Sequence, residues 1–508
     1  MRRVMFHDFD EAHRAEKAKR MKEYNSYFVP LTGSPYDRVP QLNIPFKDYP
    51  ELRLYYHPER PFFVYLLMIA SISMFGATEL TYRLPSFILG MSVFFVYVFF
   101  AIKQSKKVPI LALSTGMLML MTSYDLWLSS QYAQLDTGLT VFLFASLLSL
   151  ITYCEKRRLP FLIISGISFA LAVLSKGQPA VIFAFPLCAL FLLKKLSRKE
   201  ILIFIASAST LLVPWVLALL ILLKIELSEF LRIFFGFGFD STQRNIHHEA
   251  PIFWYSRWFW ESLRPGWTLF LIFLTFDIFK GSLSWKKKTL LSYILGSFLI
   301  FSLQTNKIWW YVLPIVPSLA FYIFLSTSDY LQRYPKRLVA LAFVIFLSSL
   351  PIFLKASNTT VMVYGFIITI LSVLLLINDK LPKLALLVKK KEVLFITSVT
   401  LSLAFFYTHF PKIVPYHKET KAVASYFATI HEEKKCLWIY DMPTEAALFY
   451  SNAGEIKALN FEETKTQLFL ECDKYLITAA EITDPEFWYL PKKELLFQKG
   501  KIKLIKLY

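Results

Sequence analysis

Charge is scarce over most of this sequence. Between Leu84 and Phe410, runs of roughly 15 to 23 mostly uncharged residues recur, and such runs exclude an ordinary soluble domain. Recognisable motifs are also missing: there is no Walker, Rossmann or zinc-finger spacing, no internal repeat and no low-complexity tract. Nucleotide cradles, zinc modules and repeat arrays therefore have no support in the sequence. Only four cysteines occur in 508 residues. Two of them, Cys436 and Cys472, fall beside predicted strands, where a disulfide in an oxidising compartment and two buried free thiols are both open readings. Acidic residues are outnumbered, 37 against 56 Lys and Arg, for a net charge of +19. In a membrane protein such an excess is more often loop charge on the cytoplasmic side than a nucleic-acid surface.

The residues present give the class. With 56% hydrophobic residues, 17% aromatics and a mean hydropathy of +0.47, this is a polytopic helical membrane protein. The pattern predicts about twelve spans, at 84–102, 108–124, 137–153, 159–175, 178–193, 200–223, 266–279, 289–303, 308–326, 338–354, 361–377 and 393–410. Alternate connections, near 103–107, 154–158, 194–199, 280–288, 327–337 and 378–392, are rich in Lys and Arg, whereas the short ones between them hold Lys176, Lys307 and Lys355 and little else. By the positive-inside rule the first set faces the cytoplasm and the second faces out. Residues 1–60, the loops 124–136 and 224–265, and the C-terminal tail then share the outer side. The apolar stretch 61–76 is short for a hydrocarbon core of about 30 Å and reads as a juxtamembrane helix.

Three regions follow: 1–83, an outer loop with juxtamembrane helices; 84–410, the membrane core; and 411–508, where charges become dense. In the last region β-rich runs at 436–440, 474–478, 494–498 and 502–507 alternate with helix-like stretches such as 420–431, the pattern of a small α/β domain.

Candidate site residues gather on the predicted outer side. Asp10 and Glu11 precede a cationic stretch with His13, Arg14, Lys17, Lys19 and Arg20. The plain reading is a solvated helix with i,i+4 ion pairs. Asp136 is the only acid beside a span start in its loop, where a carboxylate needs a partner or a task, although a helix cap would also suit it. Lys176 and Arg60 place cations where a lipid phosphate would lie, and snorkelling is the competing reading for Lys176. The long loop adds Arg244, His247, His248 and Glu249. Such a set could take a divalent ion or a phosphate, but the spacing is a weak metal signal and loop histidines are more often unliganded.

Four groups of residues carry a resemblance to a known family. They are Asp10, Glu11, Ala12, Ala15, Glu16, Ala18 and Met21 followed by Val29, Pro30 and Gly33; Glu59-Arg60-Pro61 with Phe75-Gly76 and Arg83-Leu84-Pro85-Ser86; Leu135-Asp136 with Leu174-Ser175-Lys176-Gly177; and Thr305-Asn306-Lys307 with Tyr311, Pro314 and Pro317. In this order and spacing the chain resembles the polyprenyl-phosphate-sugar-dependent glycosyltransferases of the GT-C fold. The branch in question holds the lipid A aminoarabinose transferase and relatives of the protein O-mannosyltransferases. The resemblance runs from the start to about residue 320, and the small tail domain is also similar.

The resemblance implies an enzyme of the cell envelope, in the plasma (inner) membrane, with its site and tail domain outside. It would move a sugar from a polyprenyl-phosphate carrier to a lipid, glycan or protein acceptor, with inversion. Asp10 would be the main carboxylate with Glu11 beside it and Asp136 in support. Arg60 and Lys176, with His13 and Arg14, would hold the lipid phosphate, and Lys307 and Tyr311 are further site candidates. No nucleotide site is needed, and a divalent metal on His247, His248 and Glu249 stays open. Relatives have Arg-Tyr where this chain has His13-Arg14, Lys-Pro-Pro where it has Arg60-Pro61-Phe62, and an Arg where it has Gln131. These departures bear on the donor sugar and carrier placement more than on the reaction class. Relatives also open with a transmembrane helix before Asp-Glu. The expectation here is an upstream in-frame stretch of about 20 apolar residues. The alternative class is a transporter or flippase for a lipid-linked substrate; such proteins place ionisable residues within the spans, which here read as nearly free of charge.

Overall fold

The computed structural model describes residues 5–32, 42–45, 53–104, 110–244, 251–304, 307–333, 418–430, 435–440, 456–458, 473–478 and 493–507. The predicted spans at 338–354, 361–377 and 393–410, Cys472 and the side chain of Cys436 lie outside the described residues. The chain divides into two compact units, one made of Met1–Tyr82, Leu219–Glu226 and Ile413–Tyr508, the other of Arg83–Ala218 and Leu227–Lys412.

The first unit opens with helix α1 (Met5–Glu23), in which Ala12, Ala15 and Ala18 favour the helical state. The expectation of a solvated helix fails. Glu11, His13, Arg14, Glu16, Lys17 and Arg20 are all buried, a burial that charged groups tolerate only with partners. Some of those partners are local: Glu16 accepts from Arg20 Nε at 3.1 Å and, through its other oxygen, from Thr32 Oγ1 at 3.1 Å. Thr32 lies on β1 (Leu31–Thr32), the first edge of an antiparallel sheet completed by β2 (Asn43–Pro45) and β3 (Arg53–Tyr56) in the order β1-β3-β2. Leu31 and Leu54 bury against Tyr24, Ile44 and Tyr56. Strands this short leave no readable period in the sequence. Helix α2 (Phe63–Phe75) follows Pro61 and stops at Gly76, whose φ of +81° suits glycine; its 13 residues span only about 20 Å.

The second unit is a helical bundle. In chain order its helices are α3 (Glu79–Gln104, which begins in the first unit), α4 (Ile110–Thr122), α5 (Tyr124–Gln131), α6 (Asp136–Lys156), α7 (Leu159–Lys176), α8 (Ala184–Leu192) and α9 (Arg198–Leu223). After these come α10 (Leu227–Arg244), α11 (Trp254–Ser262), α12 (Arg264–Phe279), α13 (Trp285–Leu303) and α14 (Ile315–Arg333). Two 3₁₀ segments, Gln178–Phe183 and Trp309–Val312, precede α8 and α14. Each predicted span up to 326 falls on one of these helices, two of them together with the 3₁₀ segment before it, and among the described residues five helical segments are long and apolar enough to cross a membrane. The loops 124–136 and 224–265 are not plain connections: they contain α5, α10 and α11.

Packing sorts the helices. The apolar windows of α6 and of the segment carrying α14 are 89% buried, whereas that of α9 is only 22% buried and presents Leu202, Ile205 and Leu217 outward. So α6 and α14 are the core, and α9 is peripheral. Close approach needs small residues. At Gly166 on α7 an added Cβ would stand 2.5 Å from the carbonyl oxygen of Phe204 on α9.

Among the described residues, Lys/Arg-rich connections meet at one end of this bundle. Lys156 Nζ donates to the Lys103 carbonyl at 3.3 Å, Lys286 reaches Gln104 and Glu155 at 2.6 Å each, and Arg157 pairs with Glu200 at 2.8 Å. Just inside that end lies a charged network that corrects the reading of spans nearly free of charge. Buried Asp277 on α12 accepts from Ser282 Oγ at 2.7 Å and Lys287 Nζ at 2.8 Å with one oxygen, and from Tyr322 at 2.8 Å and Ser326 at 2.7 Å with the other. Lys287 also pairs with Asp329 at 2.8 Å. One carboxylate thus ties α12, α13 and α14 together.

The C-terminal part of the first unit is α15 (Lys418–Thr429) with β4 (Lys435–Tyr440), β5 (Ile456–Ala458), β6 (Asp473–Thr478), β7 (Lys493–Lys499) and β8 (Ile502–Leu507). The sheet order is β5-β4-β6-β8-β7; β4 runs parallel to β5 and β6, and β8 antiparallel to β6 and β7. Val423, Ala424 and Phe427 of α15 close a core with Leu437, Tyr475, Ile477 and Leu504. The helix and four of the strands match the expected α/β pattern. β5, three residues long, is too short to stand out as a run.

Removing one partner of the Asp277 network strands the rest. Lys287→Met should destabilise the purified protein by about 3 to 5 kcal/mol, read as a lower thermal midpoint in detergent. The double substitution Asp277→Leu with Lys287→Met should recover part of that loss; an equal or deeper loss would show that the pair is not coupled.

Candidate functional site

At the bundle end opposite the Lys/Arg-rich connections, several of the sequence candidates come together. Asp136 occupies the first turn of α6; the cap position is Leu135 and no side-chain cap bond forms, so Asp136 is not a helix cap. Instead its Oδ1 is ion-paired with Nζ of Lys176, the last residue of α7. Antiparallel packing of α6 and α7 brings these residues, 40 apart in sequence, to the same level. Lys176 is 7% exposed and Asp136 0%, so the lysine does not snorkel. The chain turns away directly after it at Gly177, whose φ of +83° few other residues would adopt. Above the ion pair, the ring of Tyr311 lies 4.8 Å from Lys176 Nζ, a cation–π contact.

The surroundings are polar and incompletely satisfied. Asp136 Oδ2 and both polar atoms of the Gln134 side chain are buried without a protein partner, while the Gln134 backbone exchanges hydrogen bonds with Ser86 Oγ at 2.9 and 3.0 Å. Buried polar atoms are almost always paired, so such atoms mark a place where a polar ligand fits. Arg83, buried one turn before Ser86, stacks over Tyr132 at 5.6 Å and adds a second cation that the sequence reading quoted only as part of a motif. Lys307, also buried, donates to the carbonyl of Gln304 at 2.6 Å.

A second carboxylate was missed by the sequence reading. Asp125 on α5 is 1% exposed; its Oδ2 accepts from Trp258 Nε1 at 2.9 Å and from Ser262 Oγ at 3.1 Å, and Oδ1 has no partner. Burial pushes its pKa up to about 7, against the lowering effect of those two donors. Trp258 stacks on Trp254 at 5.3 Å and on Trp309 at 6.4 Å, and Tyr255 donates to the Ile308 carbonyl at 3.1 Å. The single 3₁₀ turn Trp309–Val312 therefore touches both carboxylate neighbourhoods, through Trp309 on one side and Tyr311 on the other. An acid followed by Leu-Trp in an apolar loop gave no signal; only the fold brings α11 against it.

The amino-terminal candidates belong to the first unit. Glu11, His13 and Arg14 are buried on α1 and Arg60 is half-buried. Glu59, next to Arg60, is 2% exposed and bonded to His57 Nδ1 at 2.8 Å. Burial pushes its pKa up, but His57, Lys17 and Arg60 outweigh that and hold it below the ordinary value. Asp10 lies on α1 and Arg244 ends α10, with side chains outside the described residues, as are His247, His248 and Glu249. Among the described residues no group of three His, Cys, Asp or Glu is placed to hold a metal ion.

The raised pKa of Asp125 has a sign that can be checked. Between the ordinary value of 3.8 and about 7 the folded state holds a proton that the unfolded chain has lost. Stability therefore falls as pH rises through that window. The thermal midpoint of Asp125→Asn should lose this slope; an unchanged slope would place Asp125 in contact with water.

Comparison with known proteins bears on the fold. Residues 57–223 match the family model described as dolichyl-phosphate-mannose-protein mannosyltransferase. No curated protein sequence matches the chain. Two solved structures of ArnT from Cupriavidus metallidurans are similar. The apo form has a TM-score of 0.66 at 14% identity over 98% of this chain and 93% of that one. The form bound to undecaprenyl phosphate has a TM-score of 0.62 at 15% identity over 98% and 95%. At such identities a likeness speaks for the fold, and with five helical segments among the described residues long and apolar enough to cross a membrane this chain is a multi-pass membrane protein with the GT-C fold of ArnT.

Proposed function

We propose that this protein is an inverting glycosyltransferase that takes a sugar from a polyprenyl-phosphate carrier and passes it to a lipid, glycan or protein acceptor on the outer face of the membrane. The observation that carries the reading is the buried Asp136–Lys176 pair beneath Tyr311, set on a GT-C fold. Buried Lys176 and Arg83 offer an anionic group a cationic, water-poor place, and the Gln134 amide nitrogen, without a protein partner, is a donor beside them. The family match and the undecaprenyl phosphate bound by one ArnT structure support the same donor class.

The chemistry asks for two things. Bond making at the anomeric carbon occurs opposite the departing phosphate, which leaves with the bonding electron pair; fixed cations stabilise that growing charge. Lys176 and Arg60 are assigned this task. A carboxylate must accept the proton of the attacking hydroxyl or amine, and Asp10 is assigned this task, with Glu11 next to it. Asp136 gains a role that its position alone did not suggest. As the counter-ion of Lys176 it holds the ammonium aimed in a buried setting, and its second oxygen is left for substrate.

Incubating the purified protein with a panel of polyprenyl-phosphate sugars and scoring free lipid phosphate tests the reading. Asp10→Asn should abolish release with the fold intact. Asp136→Asn should cost about 10²- to 10⁴-fold. Lys176→Ala and Arg60→Ala should raise the apparent KM for donor more than that for acceptor. Full turnover by Asp10→Asn would move the proton acceptor elsewhere, and unchanged donor KM in both cation variants would remove the phosphate assignment.

A further inference from the structure

At the Lys/Arg-rich end of the bundle, remote from Asp136 and Lys176 along both α6 and α7, the α6–α7 and α8–α9 connections enclose an open cavity of about 670 Å³. Arg157 and the adjacent Lys194 and Lys195 line it, with Ser197 and Glu200 at the start of α9. Glu200 is the only acid in the lining, and it is committed: it accepts from Arg157 Nη1 at 2.8 Å, from the Ser197 backbone N–H at 2.6 Å and from the Tyr153 hydroxyl. Lys195 Nζ lies 5.6 Å from the Trp285 ring centroid. Lys194 is exposed and has no ion-pair partner among the described residues. Two lysines therefore keep their charge uncompensated.

The backbone here is informative. Arg157 and Lys194 adopt left-handed φ values of +53° and +55°, two of only four such non-glycine residues among those described. Each ends a helix, α6 or α8, at the position where glycine relieves the strain. Long cationic side chains stand there instead, and strain of this kind is most often kept where the side chain has work to do.

The rest of the lining is apolar and turned outward. Leu192 is 78% exposed and Phe191 40%, and α9 alongside exposes Leu202 and Ile205. An occupant must then be anionic at one end and apolar along its length, which a free anion or an acidic peptide is not. We propose that this cavity binds an anionic phospholipid, its phosphodiester between Arg157, Lys194 and Lys195 and its acyl chain against Phe191, Leu192 and the outer face of α9. The proposal goes beyond the transferase reading and stands without it.

The full chain is placed in phosphatidylcholine nanodiscs with or without phosphatidylglycerol, and its thermal midpoint and the lipids retained in native mass spectrometry are read. Phosphatidylglycerol should be retained selectively and raise the midpoint, by an amount that shrinks with added salt. Lys194→Gly keeps the left-handed turn, so its midpoint in phosphatidylcholine should equal or exceed that of the parent, while phosphatidylglycerol affinity falls about fivefold. Lys194→Arg should restore the affinity. The same gain from phosphatidylcholine, the same gain from inorganic phosphate, or an undiminished gain in Lys194→Gly would each overturn the proposal.

Discussion

A charge placed inside an apolar helical bundle must be matched there, because removing it from water costs more than folding can spare. Two ion pairs in the second unit obey this constraint in opposite ways. At Asp277 both carboxylate oxygens are saturated by donors from α13, α14 and the α12–α13 turn, and Lys287 has a second acid in Asp329. Nothing is left over, so the network is a fastening for α12, α13 and α14. At Asp136 one oxygen is matched by Lys176 and the other is not, and the neighbouring Gln134 side chain is also without a protein partner. The difference in saturation is what separates a fastening from a site.

The aromatic residues extend that distinction. Trp254, Trp258 and Trp309 form a stack whose central indole gives its N–H to a buried carboxylate rather than to water or a lipid headgroup. Interfacial tryptophans are common in membrane proteins, but this one is fixed from the protein side. Through Trp309 the stack is continuous with the turn that sets Tyr311 over Lys176. The placement of the cation–π contact thus rests on packing that begins at α11. This gives α11, inside what reads as a long loop, a reason to be aromatic at Trp254, Tyr255, Trp258 and Phe259.

The two ends of the bundle differ in the same terms. At one end the cations Lys286 and Arg157 are partly exposed and paired with Glu155 and Glu200 across helices, as expected of groups that water can still reach. At the other end Lys176, Lys307 and Arg83 are buried. Few cations are found there, but those present are withdrawn from water, and desolvated charge acts strongly on an anionic ligand.

Much of this was legible in the sequence, because the signals are local. Runs without charge mark spans whatever their neighbours are, so every predicted span up to residue 326 has its helix, and short runs rich in β-forming residues mark β4, β6, β7 and β8. The motif residues Asp136, Lys176 and Tyr311 could be picked out one by one. What they do to one another could not: Asp136 and Lys176 pair only because α6 and α7 pack antiparallel, and Asp125 meets Trp258 only because α5 and α11, 133 residues apart at that bond, come together. The burial of α1 was likewise hidden, since a helix rich in Glu, Lys and Arg reads as solvated until Thr32 and the sheet behind it are in place. Composition and period fix what each segment is. Tertiary packing decides which charges lose their water, as Lys176, Asp136 and Asp125 do.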